Sequence, residues 1–205
     1  MPTVENEWES IRDKLRGATA NLHAEFDAIG NALLAEGAEG YARFLAGQGA
    51  VVIPLEKRLE IAGIGNLLPD WAERARRFEL KADLREIRQA CEFAEVPVYR
   101  APAELLGAAY VLEGSRLDAS LLLQTLGRSA ATRFLRHGKG KGYWPRFLSV
   151  LETSDAVREN FEQTMAVATE IFGFFIRAMR SAACNPRLEL RRKGIAAVQE
   201  AAICA

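Results

Sequence analysis

The sequence has little histidine and cysteine, and this scarcity limits the chemistry open to it. Two histidines and three widely spaced cysteines occur in 205 residues, without a CxxC pair. Two histidines cannot supply a multi-histidine metal cluster, and Cys91, Cys184 and Cys204 are expected to be plain thiols. The deaminase zinc signature, the paired ExxH motifs of di-iron bundles and the GxSxG of serine hydrolases are also missing.

Charge of one sign and long apolar runs are lacking as well. The 27 basic residues balance 27 acidic ones, which argues against nucleic acid as a partner. The apolar run 171–176 is far shorter than the ~20 residues that a membrane helix needs. The first ten residues lack the basic-then-apolar pattern of a signal peptide. We therefore expect a cytoplasmic protein with no membrane partner.

The alternating pattern of half-buried strands is missing too, whereas helical periodicity runs along almost the whole chain. We expect a single all-α domain over residues 1–205, a length that one hydrophobic core can serve. A break is expected over 30–40, and Pro54 predicts a kink or a local interruption. The predicted helices are 5–29, 41–62, 71–93, 102–127, 147–152, 155–180 and 187–201.

The two histidines have different surroundings. His137 lies in the segment RHGKGKGYWP, which lacks the GxxxxGK[ST] order of a phosphate-binding loop, and we expect it to be solvated. His23 lies in the first predicted helix, with Asp27 one turn later and Arg16 seven residues earlier on nearly the same face. This arrangement suits a half-buried histidine paired with Asp27, and it also suits a single axial nitrogen ligand.

The fourth predicted helix carries two residues that a buried helix tolerates poorly. Gly114 costs roughly 0.5–1 kcal/mol relative to alanine, and Asp118 puts a carboxylate on an apolar face one turn later. A flat ligand such as heme would explain the glycine, because backbone can approach a ring closely only where a side chain is missing. Alternatively, Gly114 allows two helices to pack closely, and Asp118 pairs with Arg116 or Arg177.

Three stretches resemble the heme oxygenase family. LRGATANLHAEFD (15–27) is similar to its proximal-helix motif, and YVLEGSRL (110–117) to the distal-helix motif of bacterial members, often associated with bacteriophytochromes. WPRFLSVLE (144–152) resembles a third stretch of the same group. The resemblance implies a single-domain, all-α helical bundle of the heme-oxygenase type.

The resemblance also implies roles for individual residues. The positions that it assigns to the cofactor are His23, Arg16, Asp27 and Arg146. His23 matches the axial ligand of the heme iron, and Arg16 matches a position that meets a heme propionate through a charge-assisted contact. Arg146 is expected to be a second propionate contact. Gly114 and Ser115 match the point where the distal helix bends over the ring.

The activity implied by the resemblance is the opening of heme to biliverdin, with release of carbon monoxide and iron. Heme is then both cofactor and substrate, O2 is consumed, and electrons come from an external donor, a ferredoxin or a reductase. The biliverdin would supply a photoreceptor or another partner protein.

One departure from the family pattern leaves a second function open. Asp118 and Ala119 stand where the family has a pair of small residues that leave room for oxygen. The Asp118 carboxylate would either hydrogen-bond to distal water or obstruct the pocket. In the second case the chain is a catalytically impaired heme or tetrapyrrole binder, or a regulatory interaction module.

Overall fold

Apolar residues recur every three or four positions along most of the chain, and there the chain is helical. The computed structural model describes residues 10–126 and 131–184, in which helices follow one another without a strand. Its elements are α1 (Ile11–Ala35), α2 (Ala38–Ile61), a 3-10 turn (Ile64–Asn66), α3 (Trp71–Arg74), α4 (Arg77–Glu86), α5 (Pro102–Thr125), α6 (Arg133–Arg136), α7 (Tyr143–Thr153), α8 (Asp155–Glu159) and α9 (Phe161–Cys184). The all-α prediction is confirmed for these residues. The helix predicted over 187–201 lies outside them.

The four long helices of the described residues share one hydrophobic core. α9 packs against α1, α2 and α5, and its buried stripe includes Ile171, Phe175 and Met179. Burying each such side chain stabilises the fold by roughly 1.5–3 kcal/mol. None of the described helices is apolar over a stretch long enough to cross a membrane.

The break between the first two helices lies later than the sequence predicted. Gly30 does not end α1, because its missing side chain faces the Phe44 ring and the helix continues to Ala35. The chain turns at Gly37, whose φ of 72° lies in the left-handed region that glycine adopts readily. At Gly40 a Cβ atom would lie 1.6 Å from the Leu33 carbonyl oxygen, so glycine is required where α2 begins against α1.

Pro54 does not interrupt α2, contrary to one of the two expected outcomes. Proline has no N–H, so the carbonyl of Ala50 lacks its usual partner one turn ahead. The structure satisfies this carbonyl from elsewhere, because the backbone N–H of Ala94 donates to it at 2.8 Å. The proline thus provides a docking point for the irregular segment before α5.

The single helix predicted over 71–93 is wrong. The chain leaves the helix at Ala75, which has φ −60° and ψ 126°. Here the buried carboxylate of Glu56 accepts the backbone N–H groups of Arg76, at 3.0 and 3.1 Å, and of Arg77, at 2.8 Å. A side chain of α2 therefore caps α4 and separates it from α3. α4 also ends at Glu86, before the end predicted at residue 93.

The helix predicted over 155–180 is likewise divided, at Asn160, into α8 and α9. Ser154 caps the start of α8, since its Oγ accepts the Val157 N–H at 3.4 Å.

The N-terminus of α1 is held by α7. The Glu152 carboxylate accepts the N–H groups of Ile11 and Arg12 at 3.1 and 2.9 Å, while Ser10 Oγ accepts that of Asp13 at 3.1 Å. The first three orphan donors of the helix are thereby satisfied. These hydrogen bonds fix α1 to α7, and both helices also border the candidate site.

Candidate functional site

A cleft of about 550 Å³ lies between α1 and α5 and is bounded by one aromatic residue each from α7 and α9. Its lining residues are Arg12, Arg16, Ala20, His23, Ala24 and Asp27 of α1, Tyr110, Val111, Gly114 and Leu117 of α5, Trp144 of α7 and Phe172 of α9. Four of the residues predicted from the sequence are thus brought together: Arg16, His23, Asp27 and Gly114.

The imidazole of His23 is held on two sides. Its Nδ1 lies 3.4 Å from Asp27 Oδ2, a long hydrogen bond, and its ring packs on Phe172 with 5.1 Å between centroids. Among the described residues Nε2 has no hydrogen-bond partner, and 41% of the side chain is accessible within the open cleft. A histidine with one nitrogen on a carboxylate and the other free is the usual arrangement of a metal-ligating imidazole.

Two cations lie at one end of the cleft. Arg12 and Arg16 occupy successive turns of α1 and form no ion pair with any residue in 10–126 or 131–184. Like charges at this spacing repel each other by a few tenths of a kcal/mol, roughly, so their adjacency favours an anion between them. Burial raises the pKa of the nearby Tyr110 phenol, and the two guanidinium groups partly oppose that rise. The sequence reasoning found Arg16 but missed Arg12, which the same helical spacing could have indicated.

Gly114 borders the cleft, and the packing of the described residues around it leaves room for a side chain. Among the described residues, the nearest atoms to a Cβ at this position would be those of the Trp144 ring, at 3.8 Å, which is an ordinary van der Waals contact. α5 is helical through Gly114. The missing side chain therefore adds space to the cleft.

Ser115 faces away from this cleft. Its hydroxyl donates to the Leu112 carbonyl at 2.8 Å and accepts from Arg76 Nη2. It lines a second, smaller cavity of about 150 Å³, to which Asp27 also contributes. The buried Gln48 Oε1 in the wall of that cavity has no hydrogen-bond partner within the described part of the chain.

Arg146 is not among the residues that line the cleft. It pairs with Asp70 Oδ2 at 3.1 Å, donates to the Lys141 carbonyl at 2.8 Å and lies over the Tyr143 ring. The backbone of Asp118 belongs to α5, and its side chain lies outside the described part of the structure.

His137 is not solvated, so that prediction is wrong. Its side chain is 19% accessible, and Nε2 lies 3.7 Å from Glu79 Oε1. Burial lowers the pKa of the imidazole, which favours its neutral form near pH 7. Nδ1 lies 3.5 Å from Arg116 Nη1, so the loop that carries His137 is fixed to α5.

A buried charged network supports α5, and the sequence reasoning missed it. Glu113 accepts from Arg74 at 2.7 Å and from Arg116 at 3.0 Å, and Arg74 also donates to the Tyr143 carbonyl at 3.0 Å. Glu113 and Arg74 are each about 1% accessible. A glutamate among the apolar residues of AAYVLEGS was the available signal, since a buried carboxylate requires partners.

Comparison with known proteins identifies the fold. No protein-family model and no curated protein sequence matches the chain. Among solved structures, the NO- and CO-bound heme oxygenase of Neisseria meningitidis superposes with a TM-score of 0.71 and 21% sequence identity, covering 84% of this chain and 92% of that one. The chain therefore has the heme-oxygenase fold, as the sequence motifs predicted.

Proposed function

We propose that this chain binds heme in the cleft between α1 and α5 and opens it to biliverdin, with release of carbon monoxide and iron. The observation that carries the proposal is the Nε2 of His23, which has no hydrogen-bond partner among the described residues and borders a cleft that also holds Arg12 and Arg16, two arginines without an ion pair in that same part of the chain. An axial nitrogen and an anion site are what a metalloporphyrin with carboxylate side chains requires.

The cleft has suitable size and chemistry for such a ligand. Its volume of about 550 Å³ lies within the range of small-molecule and cofactor sites. Apolar and aromatic walls, with a few polar groups at fixed positions, are typical of them. Gly114 allows backbone to approach the face of a ring, because no Cβ intervenes.

The charges of α1 suggest how the ring would lie. Arg16 precedes His23 by seven residues, which is about 10 Å along a helix axis, and Arg12 lies one turn further. The propionates would therefore point toward the N-terminal end of α1. Arg146 remains a predicted propionate contact, but its guanidinium would have to leave Asp70.

The protein would contribute binding and orientation. Heme, when bound, supplies the iron and the ring that react with O2, and an external ferredoxin or reductase supplies the electrons. Asp27 would fix the tautomer of His23, and Phe172 its ring plane. The second cavity, with Ser115, Gln48 and Asp27 in its wall, is large enough and polar enough to hold water beside the cleft.

A second candidate is a heme or tetrapyrrole binder without turnover. It is favoured by Asp118 and Ala119 in place of the small pair of the family pattern. The variant Asp118→Gly separates the two functions. Faster conversion of bound heme by the variant would show that the carboxylate obstructs turnover in the wild type, whereas slower conversion would show that the carboxylate takes part in the reaction.

Hemin titration of the purified chain tests the proposal. We expect a Soret band that His23→Ala weakens or shifts, while His137→Ala, which changes the other histidine, leaves it in place. A reductant in air should then convert the heme to a product that absorbs in the red. The absence of a Soret band would remove both heme functions, and a Soret band that persists under turnover conditions would leave the binder.

A further inference from the structure

A buried arginine from the connection between α3 and α4 contacts α5 beside the cleft. Arg76 is 1% accessible, and its Nη2 donates to the Leu112 carbonyl at 2.8 Å and to Ser115 Oγ. The hydroxyl of Ser115 donates to the same carbonyl at 2.8 Å. Gly114, the glycine of the cleft wall, lies between these two residues of α5.

Burying Arg76 at this position costs free energy, because its charged guanidinium group is removed from water. Within the described residues its guanidinium forms no ion pair, because Glu56 accepts the backbone N–H of Arg76 rather than its side chain. Its Nε has no hydrogen-bond partner in the same part of the chain, and its guanidinium lies over the Phe134 ring at 4.5 Å. An apolar side chain of similar size at such a position usually stabilises a fold at least as well. Stability alone therefore does not account for Arg76.

The hydrogen bonds of Arg76 and Ser115 converge on one backbone carbonyl of α5, that of Leu112. The Leu112 carbonyl receives two side-chain donors in addition to its place in the helix ladder. Helices bend where a side chain inserts into the ladder or where serine bonds back to the preceding turn. Arg76 thus contacts α5 on both sides of Gly114, at Leu112 and at Ser115.

We propose that Arg76 is a positioning residue, which holds α5 at Leu112 and Ser115 so that the backbone of Gly114 lies at a fixed distance from the ligand in the cleft. The part of this inference that concerns the ligand rests on the proposed heme binding. The part that concerns the helix does not. Burial lowers the pKa of the Arg76 guanidinium to about 9, so the group stays charged near pH 7 and keeps all its donors.

Hydrogen–deuterium exchange of the full-length chain without heme tests the effect on the helix. Arg76→Met should speed the exchange of the amides of residues 113–117 by about tenfold, since it removes two hydrogen bonds of a charged donor. The matched control is Arg77→Met, because Arg77 is also buried but its carboxylate partners are Glu60 and Glu56 of α2. Equal exchange in the two variants would overturn the inference.

The carbon monoxide complex of the reduced, hemin-loaded chain tests the effect on the cleft. The C–O stretching frequency reports the distance and the field of the groups above the heme. We expect Arg76→Met and Ser115→Ala to shift or broaden this band, Arg76→Lys to restore part of the wild-type band, and Arg77→Met to leave it unchanged.

If Arg76→Met fails to fold, Ser115→Ala and Arg76→Lys decide the question, because both retain the buried volume more closely. An unchanged band in both would overturn the inference. A wild-type chain that takes up no hemin would remove the proposed function, while the exchange experiment would still test the role of Arg76 in the helix.

Discussion

The two glycines of α5 lie seven residues apart on nearly the same face of the helix, yet they have opposite surroundings. A Cβ atom on Gly107 would lie 2.5 Å from the Thr164 carbonyl oxygen, a backbone atom of α9. A Cβ atom on Gly114 would have the edge of the Trp144 ring, at 3.8 Å, as its nearest neighbour in the described part of the chain. The first half of α5 is closed against α9, and the second half borders the cleft. One glycine is needed for packing, whereas the other leaves space that no described residue fills.

The largest effect is expected where the space is filled. Gly107→Ala should destabilise the chain by about 1–3 kcal/mol, because overpacking against a backbone carbonyl exceeds the gain in helix propensity. Urea unfolding followed by circular dichroism measures it. A variant as stable as the wild type would show that α5 and α9 can separate at no cost, and the contrast between the two halves would be lost.

An intermediate effect is expected at the cation end of the cleft. Replacing Arg12 or Arg16 by glutamine should weaken hemin binding by about tenfold each, since a charge-assisted hydrogen bond is lost. The wild-type affinity should also fall with added salt, and the variants should show less of this dependence. Arg158→Gln is the control, because Arg158 pairs with Asp155 outside the cleft. Equal loss in the control would mean that these cations act only through net charge.

The smallest effect on stability, and one of opposite sign, is expected at Gly114. Gly114→Ala should stabilise the chain without heme by about 0.5–1 kcal/mol, since alanine costs less entropy in a helix and the added methyl group meets no close neighbour. The same methyl group should weaken hemin binding. Thermal unfolding with and without hemin measures both effects. A variant that is destabilised without heme would show that Gly114 serves packing, as Gly107 does.

The sequence predicted the long helices well because their determinants are local. Pro102 begins α5 as predicted, and the side chain of Glu104 caps it by accepting the N–H groups of Arg100 and Ala101 at 2.8 and 2.9 Å. His23 and Arg16 were found because they lie on one helix face, and a face can be read from spacing alone. Apolar residues at steps of three or four indicated the helix over 155–180, which contains α9, in the same way.

The errors have causes that lie far along the chain. The break at Ala75 depends on Glu56, about twenty residues earlier, and no local pattern reveals that a side chain of α2 will cap α4. His137 is half-buried because Glu79 of α4 and Arg116 of α5 converge on it. The continuation of α1 through Gly30 depends on the position of Phe44 in the next helix. Each of these features requires the tertiary arrangement.

The central claim is that the space beside Gly114 receives a heme held by His23, and a crystal structure of the hemin-loaded chain would test it most directly. We expect the iron to be bonded to Nε2 of His23, the face of the ring to lie against the backbone of Gly114, and the propionates to lie at Arg12 and Arg16. A heme bound elsewhere, or a cleft closed by Trp144 and Phe172 with His23 turned away, would contradict the claim.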